Sequence, residues 1–454
     1  MKMKNLHQLV LVAFTMSFLI TSCSKKEDAE PNDVTEKSLQ QETFSEFSIE
    51  VNGSPVPISE IVKGVYTSPR SSYGMTPYID FVVNTDNTID VLWLDDSGNK
   101  SLSKISLDTK SLVEEIPIPS KINNNKRFLG FESLGNDNYI IGYSKDNSFG
   151  DEDAEAWYTA FDKTGTELFS TRLWGEDNLD DVNSKGKPSA SGSGIIKYNK
   201  ENNFIAIYLS HTMKWDDDVR HQAGWLGFLN GSSGEILKKA GGDIIGSGWY
   251  SSHNFDQRGI ISSNNSFYAL AHGDAFPRAL GISNWSHLTG QGSDFNYYDI
   301  KNGSTGNNET LTTTGDLTEL SDGNVAVVYS TEDARNKRDL RISIISGMTI
   351  NEPNINQETW LTTLDQEHVG WGSKVIQYDN EHIIVGWNTF DENNQGTGTH
   401  FILTSLDGTK LSETYSFEKS VLFPAQSFKK TADGKNIIFV SEENGNLKVH
   451  LITI

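Results

Sequence analysis

One unit recurs seven times along this chain, and that repeat limits the folds open to it more than any other feature. Each unit holds an apolar strand, a polar loop, a second strand and commonly a turn of the Asp-x-x-Gly sort. The strand pairs are Ile89–Leu94 turning at Asp95-Asp96-Ser97-Gly98, then Tyr139–Tyr143 with Trp157–Phe161, and Phe204–Tyr208 with Gly224–Leu229. They continue as Phe267–Ala271 with Ala279–Ile282, Val325–Tyr329 with Leu340–Ile345, Ile383–Trp387 with Phe401–Leu406, and Ile437–Ser441 with Leu447–Leu451. Short runs of Val, Ile, Tyr, Phe and Trp bounded by Gly-rich polar turns read as strands, and no amphipathic helix interrupts them after residue 45. Unit starts lie roughly 50 to 65 residues apart, a period that points to a propeller or a solenoid. A β-sandwich is the competing architecture, but the repeats span far more chain than one sandwich uses. The expectation is an all-β chain folded as a single β-propeller, with seven blades of four antiparallel strands, over residues 46–454. Phe47-Ser48-Ile49-Glu50-Val51 is placed to supply a strand that closes the ring with the last blade.

The segment before the repeats reads as an address. Lys2 and Lys4 precede a mostly apolar stretch, Leu6–Ile20, which is too short for an ordinary membrane span. It runs into Ile20-Thr21-Ser22-Cys23, which resembles the lipobox of bacterial lipoproteins: a branched apolar residue, two small residues, then cysteine. Residues 1–22 are then a signal peptide, and Cys23, the only cysteine, is the site of lipidation (a palmitate-type anchor). A plain secretory signal with a chance cysteine is the competing reading. Ser24-Lys25-Lys26-Glu27-Asp28 resembles the surface-export signal of Bacteroidetes lipoproteins, and residues 23–45 read as a flexible tether. The expected location is the outer membrane, lipid-anchored and facing outward, with contact to the membrane through the anchor alone.

The formal charge is −23, and losing Lys2 and Lys4 with the signal peptide takes it two units further, to −25. Such a balance argues against nucleic acid as a partner, and against polyanions unless the cleft is locally basic. A chain with one cysteine forms no internal disulfide, and a ring that closes on itself is expected to be monomeric.

Chemistry concentrates between residues 211 and 278, where four of the ten histidines lie. His253 sits in Ser252-His253-Asn254-Phe255-Asp256-Gln257-Arg258, and His272, 19 residues on, in Ala271-His272-Gly273-Asp274-Ala275-Phe276-Pro277-Arg278. Histidine exchanges protons near neutral pH and ligates metals. Arg258 and Arg278 can fork onto a carboxylate or sulfate, or equally be tied to Asp256 and Asp274. His211, His221 and Gln222 are candidate ligands for a divalent ion, calcium or zinc, without a tight metal spacing. Asp216-Asp217-Asp218 offers oxygens for calcium but reads more simply as a solvated acidic loop. Trp249 and Tyr250, with Trp215, would form an aromatic platform. Tyr329 ends a strand just before Arg335, Lys337, Arg338 and Arg341, a basic cluster in an acidic chain. No Gly-x-Ser-x-Gly elbow and no phosphate-binding Gly loop is present.

A propeller carrying two loop histidines about a hairpin apart resembles the polysaccharide lyases built on this fold. The ulvan lyase group is the nearest of these, with the oligogalacturonate lyases more distant in architecture. The resemblance covers the repeat pattern broadly and residues 253–278 specifically. It implies β-elimination at a uronic acid of an anionic polysaccharide of the ulvan kind, with or without sulfate. His253 would then be the base, with His272 beside it to bind or polarise the uronate. Tyr329 would be the acid and Arg278 the carboxylate neutraliser, with Arg258, Arg341, Trp249 and Tyr250 holding the sugar; Tyr329 and Arg278 match no family motif. The alternative is a non-catalytic propeller lipoprotein that binds glycan or a partner protein with the same loops.

Overall fold

A computed structural model of the chain describes residues 39–40, 43–59, 78–123, 128–144, 156–174, 189–214, 220–247, 257–273, 278–300 and 308–453. Within those ranges, the side chains at 174, 189–193, 211–214, 220–223 and 247 are outside the description. The segments read as signal peptide and tether, Cys23 among them, lie for the most part outside the described residues. The body from Ser38 to Ile454 forms one unit.

Seven antiparallel sheets follow one another around a ring. Blade 1 runs from its innermost strand Ile79–Val83 through Thr88–Leu94 and Lys100–Ser106 to Ser111–Ile116 outside. Blades 2 to 5 repeat that order, with innermost strands Phe128–Gly135, Ser189–Asn199, Arg258–Ile261 and Thr313–Glu319. In blade 6 the innermost strand is split into His368–Val369 and Lys374–Gln377, both paired with His382–Phe390. Blade 7 starts at Lys429–Lys430, and its outermost strand comes from the other end of the chain, Phe44–Ile49. The propeller expected from the repeats is therefore the fold observed.

Why the middle strands were legible is visible in their burial. Every residue of Val325–Thr331 is buried, whereas the outer strand Ser111–Ile116 buries only its last residue. A middle strand is covered on both faces by neighbouring blades, so it reads as a continuous apolar run rather than an alternating one. Seven apolar cores fill the seven gaps between blades. The Asp-x-x-Gly signals form tight turns. At Asp162 the carboxylate accepts the amides of Thr164 and Thr166 at 2.8 and 3.0 Å, and Gly165 takes φ 78°.

The closing strand is held by more than its ladder. Phe44 stacks on Tyr415 with ring centres 4.3 Å apart and meets Phe417 edge-on at 5.2 Å, so it reaches across the seam into blade 6. Glu46 lies 3.2 Å from Nδ1 of His450 and forms a closer ion pair with Lys448. The bond from His450, aided by Lys448 and opposed by partial burial, holds the Glu46 carboxyl down from 4.5 to about 2. A carboxyl depressed in the folded state adds stability that is complete above its unfolded value and is lost as pH falls toward its folded value. Acid unfolding monitored between pH 5 and 2 is therefore expected to flatten in Glu46→Gln. An unchanged acid limb in that variant would show that the latch contributes nothing.

Candidate functional site

Within each blade, the innermost strand begins, the second ends, the third begins and the fourth ends at the same end of the ring. Of the described candidate side chains, Arg258, His272 and Arg278 lie at this end, and Tyr329 and Arg341 sit two residues into their strands from it. His272 is the penultimate residue of Phe267–Gly273 in blade 4, opposite Leu280. His211 lies in the corresponding strand of blade 3, Phe204–Lys214, opposite Ala223, and His221 and Gln222 open the next strand, Arg220–Asn230. Topology thus puts the histidines of neighbouring blades at one end. His253, Trp249, Tyr250 and the loop Trp215–Asp218 lie outside the described residues, as do the side chains of His211, His221 and Gln222. Among the described residues, no group of three or more His, Cys, Asp and Glu is arranged to hold a metal ion.

The side chains that are described are largely committed to the fold. His272, Arg258 and Arg278 are all buried. Arg258 opens the innermost strand of blade 4 and donates to the carbonyls of Gln257 at 2.8 Å and Pro424 at 3.0 Å. It therefore ties blade 4 to the segment that joins blades 6 and 7. Tyr329 is fully buried among the apolar side chains between blades 4 and 5, against Tyr297 and Tyr298. Its hydroxyl donates to Oε1 of Glu358 at 3.1 Å, and burial pushes its pKa up. Arg341 donates to the other oxygen of Glu358 at 2.7 Å and lies 3.8 Å from Asp333. Tyr329 and Arg341 are thus brought together, but around the half-buried Glu358 carboxylate on the outer strand of blade 5.

The ring axis carries a second set of charges, which the sequence reading passed over. Innermost strands of successive blades lie side by side, and a narrow cavity opens among Asp80, Lys197, Gln257, Arg258, Ser427 and Lys429. Those residues come from blades 1, 3, 4 and 7 and its entry segment, and only the axis can bring them together. Asp80, Glu132 and Asp316 each accept the amide of the following residue, at 2.8, 3.0 and 2.9 Å. Lys197 faces Glu132 at 3.8 Å, and Lys429 bonds to the Phe81 carbonyl, 3.9 Å from Asp80. Burial depresses the Lys429 pKa. Lys374 and Arg258 converge on the single carbonyl of Pro424. Apart from Gln257 and Arg258, no motif announces these residues, because they are spread over separate repeats and their proximity exists only once the ring has closed.

Two ionisable side chains at the loop end were also missed, Glu332 and His368. Glu332 directly precedes the basic cluster, which is the one sequence signal that could have drawn attention to it. On the seam between blades 6 and 7, a cavity of about 510 Å³ is lined by Glu46, Lys419, Glu443, Lys448 and His450 among others. Lys448 pairs there with Glu46 and Glu443, and Lys419 with Glu443, while Glu418 and Glu442 also line it.

No family model matches the chain, and no curated protein matches it. Among solved structures, it is similar to the BP39L lectin from Burkholderia pseudomallei, with a TM-score of 0.50 and 10% identity over 84% of this chain and 97% of that one. It overlaps a protein of unknown function from Dyadobacter fermentans at a TM-score of 0.42 and 12% identity, covering 74% of this chain and 96% of that one. A PL25 ulvan lyase overlaps at a TM-score of 0.36 and 9% identity, over 83% of this chain and 78% of that one. The likeness to the lectin is one of fold. The other two overlaps are too loose to carry an argument.

Proposed function

We propose that this chain is a lipid-anchored, surface-facing propeller that binds an acidic polysaccharide at the loop end of its ring. One observation carries the choice of binding over proton transfer. The described groups assigned to chemistry already serve the fold: Tyr329 is buried on Glu358, Arg258 is held by two carbonyls, and Arg341 by two carboxylates. A buried tyrosine hydroxyl that donates to a carboxylate is a poor acid for a departing sugar oxygen. Trp215, Trp249 and Tyr250, which lie outside the described residues, are side chains suited to sugar faces. A propeller of this fold also serves as a lectin in BP39L, so the architecture is compatible with the role.

β-Elimination at a uronate stands as the second reading, favoured by the place of His272 at the loop end on the blade that His253 leads into. One experiment separates the two. The lipid-free body is incubated with ulvan and other uronate polymers while absorbance of the new C4–C5 double bond and binding are both followed. Saturable binding without absorbance is the expected result. An absorbance increase that disappears in His253→Ala and His272→Ala would overturn it in favour of the lyase. Fatty-acid labelling that persists in Cys23→Ser would remove the anchor.

A further inference from the structure

A line of hydrogen bonds crosses several blades at one matching place. In blade 1, Nε1 of Trp93 on the second strand donates to Oγ of Ser103 on the third at 3.0 Å, and that hydroxyl donates to Oε2 of Glu115 on the fourth at 2.9 Å. In blade 2 the line joins Tyr143, Thr159 and Ser170, at 3.2 and 2.8 Å. In blade 5 the hydroxyls of Tyr329 and Ser343 both donate to Glu358, at 3.1 and 3.2 Å. The register is the same each time. The third-strand member lies two residues beyond the partner of the second-strand member, and opposite the fourth-strand member.

Blade 7 keeps this register with different chemistry. Ser441 stands where those blades place Trp or Tyr, His450 takes the third-strand position, and Glu46 on the closing strand takes the fourth. Oγ of Ser441 lies 2.8 Å from Nε2 of His450, and Nδ1 of His450 lies 3.2 Å from Glu46. Phe439 stacks on the imidazole at 4.3 Å and 4°, which fixes its plane. Where serine replaces a large ring, space opens: Ser441, His450 and Glu46 all line the seam cavity of about 510 Å³. Blade 6 has Thr389, His400 and Ser416 in the same register, at 2.8 and 2.7 Å, but its line ends in a hydroxyl rather than a carboxylate. Hydroxyl, imidazole and carboxylate in that order can make a serine nucleophilic. The carboxylate of Glu46 holds a proton on Nδ1, which leaves Nε2 to accept the proton of Ser441. Burial lowers the pKa of His450, with Glu46 opposing, so at pH 7 the imidazole is neutral and able to take that proton. Ile58, Phe417 and Val421 give the cavity an apolar side that suits a short acyl chain, and Glu418 and Glu442 disfavour an anionic one. Asn444 also lines it, and its side-chain amide, which makes no hydrogen bond with the described residues, is a donor for a developing oxyanion.

We propose that the cavity between blades 6 and 7 is an esterase site for a neutral, short-chain carboxylic ester, with Ser441 as nucleophile, His450 as proton carrier and Glu46 as positioning residue. Oγ of Ser441 bonds to the ester carbonyl carbon as its proton passes to Nε2 of His450. The bond from that carbon to the alcohol oxygen then breaks, and Nε2 gives the proton to the departing oxygen. Water repeats the sequence on the acyl-serine. One of its protons goes to Nε2, its oxygen bonds to the acyl carbon, the bond to Oγ breaks, and Nε2 returns the proton to Oγ as the carboxylic acid leaves. None of these steps depends on glycan binding.

The full-length chain is treated with a fluorophosphonate probe and, separately, with 4-nitrophenyl acetate at pH 7.5. Peptide mapping should place the probe on Ser441, and ester hydrolysis should exceed the uncatalysed rate. Ser441→Ala should lose labelling and hydrolysis together, and His450→Gln should lower kcat/KM by about a thousandfold. Glu46→Gln should lower kcat by about a hundredfold with KM little changed, a split that a purely structural role of Glu46 would not produce. Thr389→Ala, in the matching line of blade 6, should be labelled and hydrolyse the ester as the wild type does. A wild-type chain that takes no probe at Ser441, or that hydrolyses the ester no faster than Ser441→Ala, overturns the proposal. The labelling result is read on the wild type alone, so it holds even where a variant fails to fold, and it leaves the glycan-binding reading untouched.

Discussion

Removing residues up to Ile49 should lower the thermal midpoint by roughly 10 °C or more, or leave the chain insoluble. Phe44–Ile49 pairs residue for residue with the last strand, from Phe44 opposite Ile452 to Ile49 opposite Leu447. Without it, blade 7 keeps only Ile437–Glu443 and Asn446–Ile452 as strands of useful length, because its innermost strand is Lys429–Lys430. The loss includes Ile49 from the core between blades 7 and 1, and Phe44 from the aromatic group of Phe401, Tyr415 and Phe417. It also strips the Glu46 pairs with Lys448 and His450. The final strand would then present a bare edge, and such an edge pairs readily with other chains. Scanning calorimetry with size-exclusion chromatography reads both outcomes. A truncated monomer that melts within two or three degrees of the full chain would show that the ring holds itself closed from blades 1 to 7 without this strand.

Replacing Gly194 by valine should be as damaging, through one atom. Gly194 lies in Ser189–Asn199, the innermost strand of blade 3, at a break in its register with the next strand. A Cβ there would stand 2.4 Å from the carbonyl oxygen of Leu129 in blade 2. Leu129 belongs to the backbone of Phe128–Gly135, which cannot swing aside as a side-chain end can. The next residue, Gly130, has φ +124°, and its own Cβ would stand 2.9 Å from Ile196. The two innermost strands therefore meet with nothing between them, and overpacking there pushes blades 2 and 3 apart. A loss of about 3 kcal/mol or more is expected for the valine, seen as a fall in yield and midpoint. Gly98 is the control: its φ is +75° but no atom lies within 4 Å of its Cβ, so Gly98→Ala should cost only about 1 kcal/mol. Equal midpoints for the two variants would sink the close-approach argument.

Placing the site is harder than placing the fold, and particular residues show why. His272 was legible as a loop-end residue because a strand pattern ends beside it. The roles drawn for Tyr329, Arg258 and Arg341 could not be checked along the chain. The partner of Arg258 is Pro424, 166 residues away, and Gln426 donates to the carbonyl of Ile79, 347 residues back. Glu358, which joins Tyr329 to Arg341, lies on an outer strand whose exposed face reads as loop.

By itself the sequence determined both middle strands of blades 2 to 7 and the second strand of blade 1, the sevenfold count and a closing strand from the N-terminal side. Those strands are buried on both faces, so hydrophobicity, a local and additive property, marks them wherever they occur. Only the tertiary structure decided which charges meet. The acids and lysines around the axis and the latch of Glu46 on His450 and Lys448 both join residues from separate repeats or chain ends. Closing the ring sets their spacing, and no local pattern in the chain encodes that distance.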